Sequence, residues 1–367
     1  MSRKNSYIIA VILSVLLSCI VITELTRPRT PASEEDGCPR AVKSSMDSTN
    51  IQRGSNPPLN EASFNFQRLK PSELPVIKNT EGKIPGFAVY TQDGDILYAN
   101  AIEEIKKTIS NKTMVKTDNF TVENPIGIIQ NPPLERITDI SSKALQSIDM
   151  ENKVLIIYID GLGYDQYEKA LNEGWIPFME SLGKGTRALT VYPPITDVAF
   201  ASMVTGETPK YTGIHSREKN PLMVPAIFDR ASGKGKTSKV IEGNIKILTT
   251  EVETILNIDE NGNGTIDDEI YESAMKEIQN PPHILLVHFH SFDDFGHEYG
   301  PSSQEALEQL KILDSYIEDM IKDYRGDIII TSDHGMHDEE GGGNHGIFCE
   351  ADLFIPIIQI KLQAGGL

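Results

Sequence analysis

Three short apolar runs, each followed within a few residues by an aspartate, constrain the fold of this chain more than any other feature. The runs are Val154–Ile159, Ile284–Phe289 and Asp327–Thr331, and each is typical of a buried parallel strand. Amphipathic stretches separate them, so the pattern predicts an α/β fold with a doubly wound, mostly parallel sheet and helices on both faces. Ligands of such sheets bind just beyond the carboxyl ends of the strands, so we expect the residues that follow the runs to share one crevice.

The side chains at these positions are of the kinds that bind divalent metals. They are Asp160, Asp293, His297, Asp333, His334 and His345. Carboxylates and imidazoles in this ratio suit two divalent cations, with zinc expected and manganese as the alternative. For Asp160 alone, capping of the next helix is an equally good explanation.

Thr196 precedes a predicted helix, Val198–Thr205. A hydroxyl beside two such metals suggests a nucleophile activated by metal coordination. Free backbone N–H groups at a helix start would also stabilise a bound phosphoryl group. The alternative is an ordinary threonine N-cap, which is the commoner reason for threonine at a helix start.

Composition excludes several classes of protein. With 367 residues, 39% of them hydrophobic and 24% charged, the chain is globular and long enough for one large core. The net charge of −19 argues against a nucleic-acid-binding surface, which needs a basic footprint. The three cysteines include no CxxC motif and indicate no disulfide framework.

The N-terminus predicts attachment to a membrane. Arg3 and Lys4 precede the uncharged apolar run Tyr7–Thr23, whose length is at the lower limit for a membrane span. Residues 1–26 are therefore interpreted either as an uncleaved anchor, with the remainder of the chain exported, or as a lipoprotein signal modified at Cys19. Both interpretations place the catalytic part outside the cell, tethered to its membrane.

The rest of the chain divides by composition. Residues 27–72 are polar and proline-rich, as in a linker, and 146–367 form the catalytic domain. The pattern over residues 73–145 predicts a small α+β elaboration that includes a helix at Ala101–Ile109. A further helix is predicted at Thr249–Leu256.

One loop resembles a calcium-binding EF-hand loop. Its candidate oxygen ligands are Asp259, Asn261, Asn263, Thr265 and Asp267. Gly264 and Ile266 also fit the pattern, but position 12 is Ile270 and the nearest acid, Glu269, comes one place early. The loop is therefore either a structural calcium site or an Asx/Gly-rich loop that caps the next helix.

Taken together, the motifs over about residues 150–360 resemble the alkaline phosphatase superfamily, and in it the type I phosphodiesterase/nucleotide pyrophosphatase family. The motifs are Asp160, Thr196 with Val204–Gly206, Asp-Asp-Phe-Gly-His at 293–297, Ser-Asp-His-Gly-Met at 332–336 and Asn-His-Gly at 344–346. The resemblance implies one metal held by Asp160, Thr196, Asp333 and His334, and another held by Asp293, His297 and His345. It also implies that Thr196 is the nucleophile and forms a phosphothreonine that water hydrolyses.

The chain departs from this family in three places, one of which is the short segment between Gly213 and Asp293, which leaves no room for a large cap domain. No asparagine follows Thr196 at a short distance to serve as an extra phosphate ligand, and Thr212 replaces the usual histidine in Pro209–Gly213. A sulfatase would need cysteine or serine in place of Thr196. The resemblance therefore implies a membrane-tethered extracellular metal-dependent phosphodiesterase. The alternatives are a phosphomonoesterase or phosphonate hydrolase, a phospho-group transferase acting on envelope polymers, and a non-catalytic envelope binding protein.

Overall fold

The computed structural model describes residues 74–80, 85–108, 110 and 112–361. The predicted membrane segment Tyr7–Thr23, the predicted linker and Cys19 and Cys38 lie outside these residues. Among the described helices, none is both long and apolar enough to cross a bilayer.

Strands and helices alternate over most of the described chain. The strands are β1 (Val76–Lys78), β2 (Phe87–Tyr90), β3 (Ile96–Ala99), β4 (Ile102–Lys107), β5 (Thr113–Thr117), β6 (Thr121–Glu123), β7 (Gly127–Gln130), β8 (Glu135–Arg136), β9 (Val154–Ile159), β10 (Thr186–Leu189), β11 (Ser238–Glu242), β12 (Glu253–Leu256), β13 (Ile284–Phe289), β14 (Asp327–Thr331), β15 (His337–Glu339), β16 (Gly342–Asn344) and β17 (Phe354–Ile360). The helices are α1 (Asp139–Asp149), α2 (Tyr164–Glu173), α3 (Pro177–Ser181), α4 (Thr196–Thr205), α5 (Pro209–Thr212), α6 (Ile227–Ser232), α7 (Asp267–Ile278), α8 (Ser291–Tyr299), α9 (Gln304–Asp323) and α10 (Glu350–Leu353).

The main sheet has eight strands in the order β12-β11-β13-β9-β14-β17-β10-β8. Every neighbouring pair is parallel except the two that involve β17, which is antiparallel to both β14 and β10. The strands β13, β9 and β14 are adjacent at its centre. The predicted α/β sheet is thus confirmed, and the three apolar runs are its three central strands with the predicted bounds.

Both faces of the central strands are covered, which explains their unbroken apolar character. Along β9, Leu155, Ile157 and Ile159 belong to one hydrophobic core, which also contains residues of α9. The alternate residues Ile156 and Tyr158 belong to a second core, which contains residues of α1 and α4. Successive side chains of a strand point to opposite faces, so the helices form a layer on each side of the sheet.

The N-terminal elaboration differs from the prediction. It consists of a four-stranded sheet, β1-β7-β2-β3, and a three-stranded sheet, β4-β5-β6. The predicted helix Ala101–Ile109 is wrong, because this segment contains strand β4. Ile102 and Ile105 are spaced as on a helix, but a bulge in the pairing with β5 follows Ile102, and both side chains pack against the same small core. Because of the bulge, two residues with helical spacing lie on the same face of a strand.

One further helix prediction is corrected, and one covalent bond was not predicted. The predicted helix Thr249–Leu256 is wrong, because β12 occupies its second half and pairs in parallel with β11 at the sheet edge. Cys349 is disulfide-bonded, although the cysteine content indicated no disulfide framework. The spacing of cysteines along a chain does not determine which of them meet in space, so this bond could not be read from sequence.

Candidate metal centre and nucleophile

The carboxyl ends of the three central strands deliver three aspartates to one place. Asp160 follows β9 directly, Asp333 follows β14, and Asp293 lies in the first turn of α8 after β13. The backbone N–H of Gly161 donates to Asp333 Oδ1 at 3.0 Å. A β-carbon on Gly161 would lie 2.7 Å from Asp293 Oδ1, and its φ of +74° is in the left-handed region, so this close approach requires glycine.

Three histidines around these aspartates share one orientation. In each, Nδ1 contacts a backbone carbonyl oxygen, which can only accept, so Nδ1 carries a proton and Nε2 faces the aspartates. The contacts are His334 Nδ1 to Gly335 O at 3.1 Å, His345 Nδ1 to Pro194 O at 3.0 Å and His297 Nδ1 to Gly343 O at 3.0 Å. Metal-binding histidines are typically oriented by such a bond from the nitrogen that does not bind the metal.

The first group of facing atoms comprises Asp160, Asp333 and His334. His334 Nε2 lies 3.0 Å from Asp333 Oδ2 and 3.6 Å from Asp160 Oδ1, and all three side chains are buried. Their ligand atoms lie within 4.8 Å of one another, as a metal ion requires.

The second group centres on Asp293. His345 Nε2 lies 3.8 Å from Asp293 Oδ1, and His297 Nε2 lies 3.3 Å from Asp293 Oδ2. The atoms of Asp293, His345 and His334 also lie within 4.8 Å of one another, so His334 borders both groups. His297 is the most exposed of these histidines, and Asp293 connects it to the group.

Two buried oxygens in these groups have no hydrogen-bond partner. They are Asp333 Oδ2 and Asp293 Oδ1. Buried polar atoms are nearly always satisfied in native proteins. Each of the two oxygens faces a histidine Nε2, so a divalent cation in each group would satisfy both. The residues present therefore fit two metal ions.

The electrostatics of the cluster also favour cations. Burial raises the pKa of Asp160, and the charges of Asp333 and Asp293 raise it further. Burial and the charge of His334 lower the pKa of His345 to about 3, which leaves its Nε2 free to bind a metal. Burial would lower the pKa of His334, but Asp333 and Asp160 raise it to about 10. Without a metal, a protonated His334 thus supplies positive charge where a bound cation would supply it.

Thr196 lies against the first group. Its Oγ1 is 3.5 Å from both Asp160 Oδ1 and His334 Nε2. Thr196 is the first residue of α4, the N-cap is Ile195, and no side chain caps this helix. The alternative that Thr196 is an ordinary N-cap is therefore wrong, and its hydroxyl is directed to the candidate metal ligands instead.

A buried network behind Asp160 was not anticipated from sequence. His288, at the end of β13, has Nδ1 2.9 Å from Glu242 Oε2 and Nε2 3.2 Å from Asp160 Oδ2. Its ring stacks on Tyr158 with centroids 4.0 Å apart. His288 thus binds Asp160 Oδ2, and Asp160 Oδ1 remains on the side that faces Thr196 and His334. Glu242 lies at the carboxyl end of β11, much as the aspartates lie just after their strands. A single glutamate there belongs to no recognisable motif, so the sequence did not indicate its role.

His290 also approaches Asp160, and Asp160, His288 and His290 are close enough to form a third ligand group. However, the backbone N–H of Gly243 donates to His290 Nε2 at 3.2 Å. In neutral His290 the proton must then lie on Nδ1, which is 3.7 Å from Asp160 Oδ2. His288 therefore donates to Asp160, and His290 turns a protonated nitrogen to it from beyond hydrogen-bond distance, so neither offers a free nitrogen to a third metal.

The candidate calcium loop differs from the prediction at one residue. Both carboxylate oxygens of Asp267 point away from the loop and accept backbone N–H groups of His290 and Ser291, at 2.8 and 2.9 Å. Asp267 therefore caps the start of α8, a long-range contact that the loop pattern does not reveal. The other four candidates, Asp259, Asn261, Asn263 and Thr265, remain in the loop, and Asn261 Nδ2 donates to Asp268 at 2.6 Å. Calcium binding by this loop stays a prediction.

Comparison with known proteins identifies the family of this chain. The family model described as type I phosphodiesterase / nucleotide pyrophosphatase matches residues 154–234 and 236–362. Two GPI ethanolamine phosphate transferases 1, from Emericella nidulans and Aspergillus oryzae, are 31% and 30% identical over 91 residues. These matches cover 21% of this chain but only 10% and 9% of the relatives, so the chain corresponds to about a tenth of their length.

Two solved structures also match about half of this chain. Phosphonoacetate hydrolase from Sinorhizobium meliloti has a TM-score of 0.43 and 18% identity over 53% of this chain and 59% of its own. Murine ectonucleotide pyrophosphatase / phosphodiesterase 5 has a TM-score of 0.41 and 19% identity over 50% of this chain and 57% of its own.

Proposed function

The chain belongs to the type I phosphodiesterase / nucleotide pyrophosphatase family, and on that premise we propose that it is a membrane-tethered extracellular phosphodiesterase. Its nucleophile is Thr196, and it depends on two divalent metals, with zinc expected and manganese the alternative. One observation supports this most strongly. Backbone carbonyls turn three histidines so that Nε2 faces the aspartates, and two of them, His334 and His345, face oxygens that have no hydrogen-bond partner. The Thr196 hydroxyl lies against the same group.

Each side chain has a definite task in this proposal. Asp160, Asp333 and His334 would hold one cation beside Thr196, and Asp293, His297 and His345 would hold the other. Bound cations of this kind lower the pKa of a nearby hydroxyl and offset the charge of phosphoryl oxygens.

The covalent step forms a bond between Thr196 Oγ1 and phosphorus and breaks the bond from phosphorus to the leaving-group oxygen. The hydroxyl proton is released to water and is balanced at the leaving-group oxygen, which departs as an alcohol. Thr196 opens α4, so the unpaired N–H groups of the first helical turn can hold the phosphoryl oxygens. Water then cleaves the phosphothreonine and restores the hydroxyl.

The metal requirement is tested on the purified extracytoplasmic part of the chain. We expect close to two zinc-type ions per molecule, loss of turnover of bis-p-nitrophenyl phosphate with a chelator, and recovery when metal is restored. Full activity of metal-free protein would contradict the proposal.

The nucleophile is tested with Thr196→Ala and Thr196→Ser. The alanine variant loses the attacking oxygen, so turnover should fall at least about a thousandfold, while metal content is unchanged. Thr196 makes no capping bond, so the melting temperature should change little. The serine variant keeps a hydroxyl and should retain part of the activity. A fully active Thr196→Ala protein would rule out the mechanism.

A second candidate is transfer of a phospho-group to an envelope polymer or glycolipid. The similarity to GPI ethanolamine phosphate transferases supports it. Hydrolysis and transfer share the phosphothreonine and differ in the acceptor, which is water or a hydroxyl group. Adding an alcohol acceptor to the bis-p-nitrophenyl phosphate assay separates them, because a transferase would form the new phosphodiester at the expense of free phosphomonoester.

A further inference from the structure

Arg217 places an unneutralised guanidinium beside the metal-binding histidines. Its Nη2 lies 3.5 Å from His345 Nε2, the nitrogen that would bind a cation. In the described part of the chain, each of the other four arginines donates to an oxygen. These pairs are Arg136 with Asp139, Arg187 with Glu350, Arg230 with Thr205 O and Arg325 with Lys322 O. Among the described residues Arg217 has no such oxygen partner, although the chain carries a net charge of −19.

Lys219, the neighbouring cationic residue on the same loop, already has oxygen partners. Lys219 Nζ is occupied by Asp197 Oδ1 at 2.7 Å and by Ile247 O at 2.8 Å. Arg217, in contrast, is exposed and donates only towards an imidazole nitrogen. A guanidinium has no lone pair and is always charged, so a metal on His345 Nε2 would release Nη2 for another acceptor.

We propose that Arg217 binds a non-bridging oxygen of the phosphoryl group that reacts with Thr196, an inference that rests on the proposed function. The planar guanidinium matches phosphoryl oxygens in a bidentate arrangement. A monoester presents three non-bridging oxygens and two charges, whereas a diester presents two oxygens and one charge. Arg217 therefore also sets how well the site accepts phosphomonoesters relative to phosphodiesters.

Binding is measured first, because it does not require turnover. Inorganic phosphate is titrated calorimetrically into metal-loaded protein, and we expect Arg217→Ala to weaken its binding about ten- to a hundredfold. Arg217→Lys keeps the positive charge but loses the bidentate guanidinium, so its phosphate affinity should lie between those of the wild type and Arg217→Ala. Lys106→Ala is the matched control, because it makes the same change in net charge at an exposed residue of β4 and should bind phosphate as the wild type does.

Turnover is measured on the same proteins. Arg217→Ala should lower kcat/KM for p-nitrophenyl phosphate by a larger factor than for bis-p-nitrophenyl phosphate, with metal content and melting temperature unchanged. Equal phosphate affinity and equal kcat/KM in wild type and Arg217→Ala would overturn the role of Arg217 alone. A wild-type protein that neither binds metal nor hydrolyses either ester would instead overturn the proposed function, and this inference with it.

Discussion

Replacement of His288 by asparagine or by glutamine separates its two hydrogen bonds. The asparagine amide nitrogen lies roughly where imidazole Nδ1 was, so His288→Asn keeps a donor to Glu242 and releases Asp160. The glutamine amide nitrogen lies roughly where Nε2 was, so His288→Gln keeps a donor to Asp160 and releases Glu242. The pair thus tests whether His288 acts by holding Asp160 Oδ2, at 3.2 Å.

The magnitude follows from burial and charge. His288 is fully buried and Glu242 nearly so, and a hydrogen bond to a buried charged group contributes about 1.5–3 kcal/mol. Each variant loses one such bond, so both should be destabilised by about 2 kcal/mol. In His288→Asn, however, the remaining donor near Asp160 Oδ2 is His290 Nδ1 at 3.7 Å. Loss of an orienting partner of a metal ligand lowers metal affinity or activity about 10- to 100-fold.

The assay is a zinc titration against a competing chelator, with kcat and KM for bis-p-nitrophenyl phosphate measured at saturating metal. We expect His288→Asn to weaken zinc binding about 10- to 100-fold and His288→Gln to weaken it less than about threefold. Chemical denaturation of both variants provides the stability control. Equal zinc affinity in the two variants, at equal stability, would refute the role assigned to His288 and leave it as a core residue.

Three further outcomes are expected. Asp267→Asn should lower stability by about 1–2 kcal/mol, equally with and without calcium, because it weakens the cap of α8. Asp259→Ala should lower the melting temperature more in calcium than without it, because Asp259 also accepts the backbone N–H groups of Gly262 and Gly264. Burial would lower the pKa of His337, but its bond to the buried Asp352, at 2.7 Å, raises it. The stability that His337 contributes is thus fully present below pH ~6.5 and is lost as pH rises through the raised pKa, so denaturation should show a smaller penalty for His337→Gln at pH 9 than at pH 6. Deletion of residues 1–26 should release active protein from membranes, and recovery of the full-length chain in the cytosolic fraction would contradict the anchor.

The sheet could be predicted from sequence because its central strands are buried on both faces. Val154–Ile159 is apolar throughout, and the shortness of the run favours a doubly covered strand over a helix. The edge strand β12 was mistaken for a helix because an edge strand is half exposed and has no unbroken apolar run. Strand β4 was mistaken for one because a bulge reproduced helical spacing. Periodicity alone does not distinguish these cases.

The candidate site also contains some residues that could be predicted from sequence and others that could not. Residues that follow the apolar runs, such as Asp160 and Asp333, could be located because the chain path itself brings them together. Residues that act through long-range contacts could not. Glu242 and Arg217 reach the site from a neighbouring strand and a loop, and Asp267 caps a helix that begins more than 20 residues later. Single polar residues in such segments resemble ordinary surface positions until the fold places them.

The charge balance of the site explains why replacement of His288 and replacement of Arg217 should have different effects. Four carboxylates, those of Asp160, Asp293, Asp333 and Glu242, meet in and behind the site. Two divalent cations and a protonated His288 would exceed their charge by one, and deprotonation of the Thr196 hydroxyl would remove that excess. The negative charge of the incoming phosphate ester would then remain unbalanced, and Arg217 is the cation available for it. Replacement of His288 should therefore disturb the empty site, where metal is bound, whereas replacement of Arg217 should leave metal binding intact and weaken only the capture of the phosphoryl group.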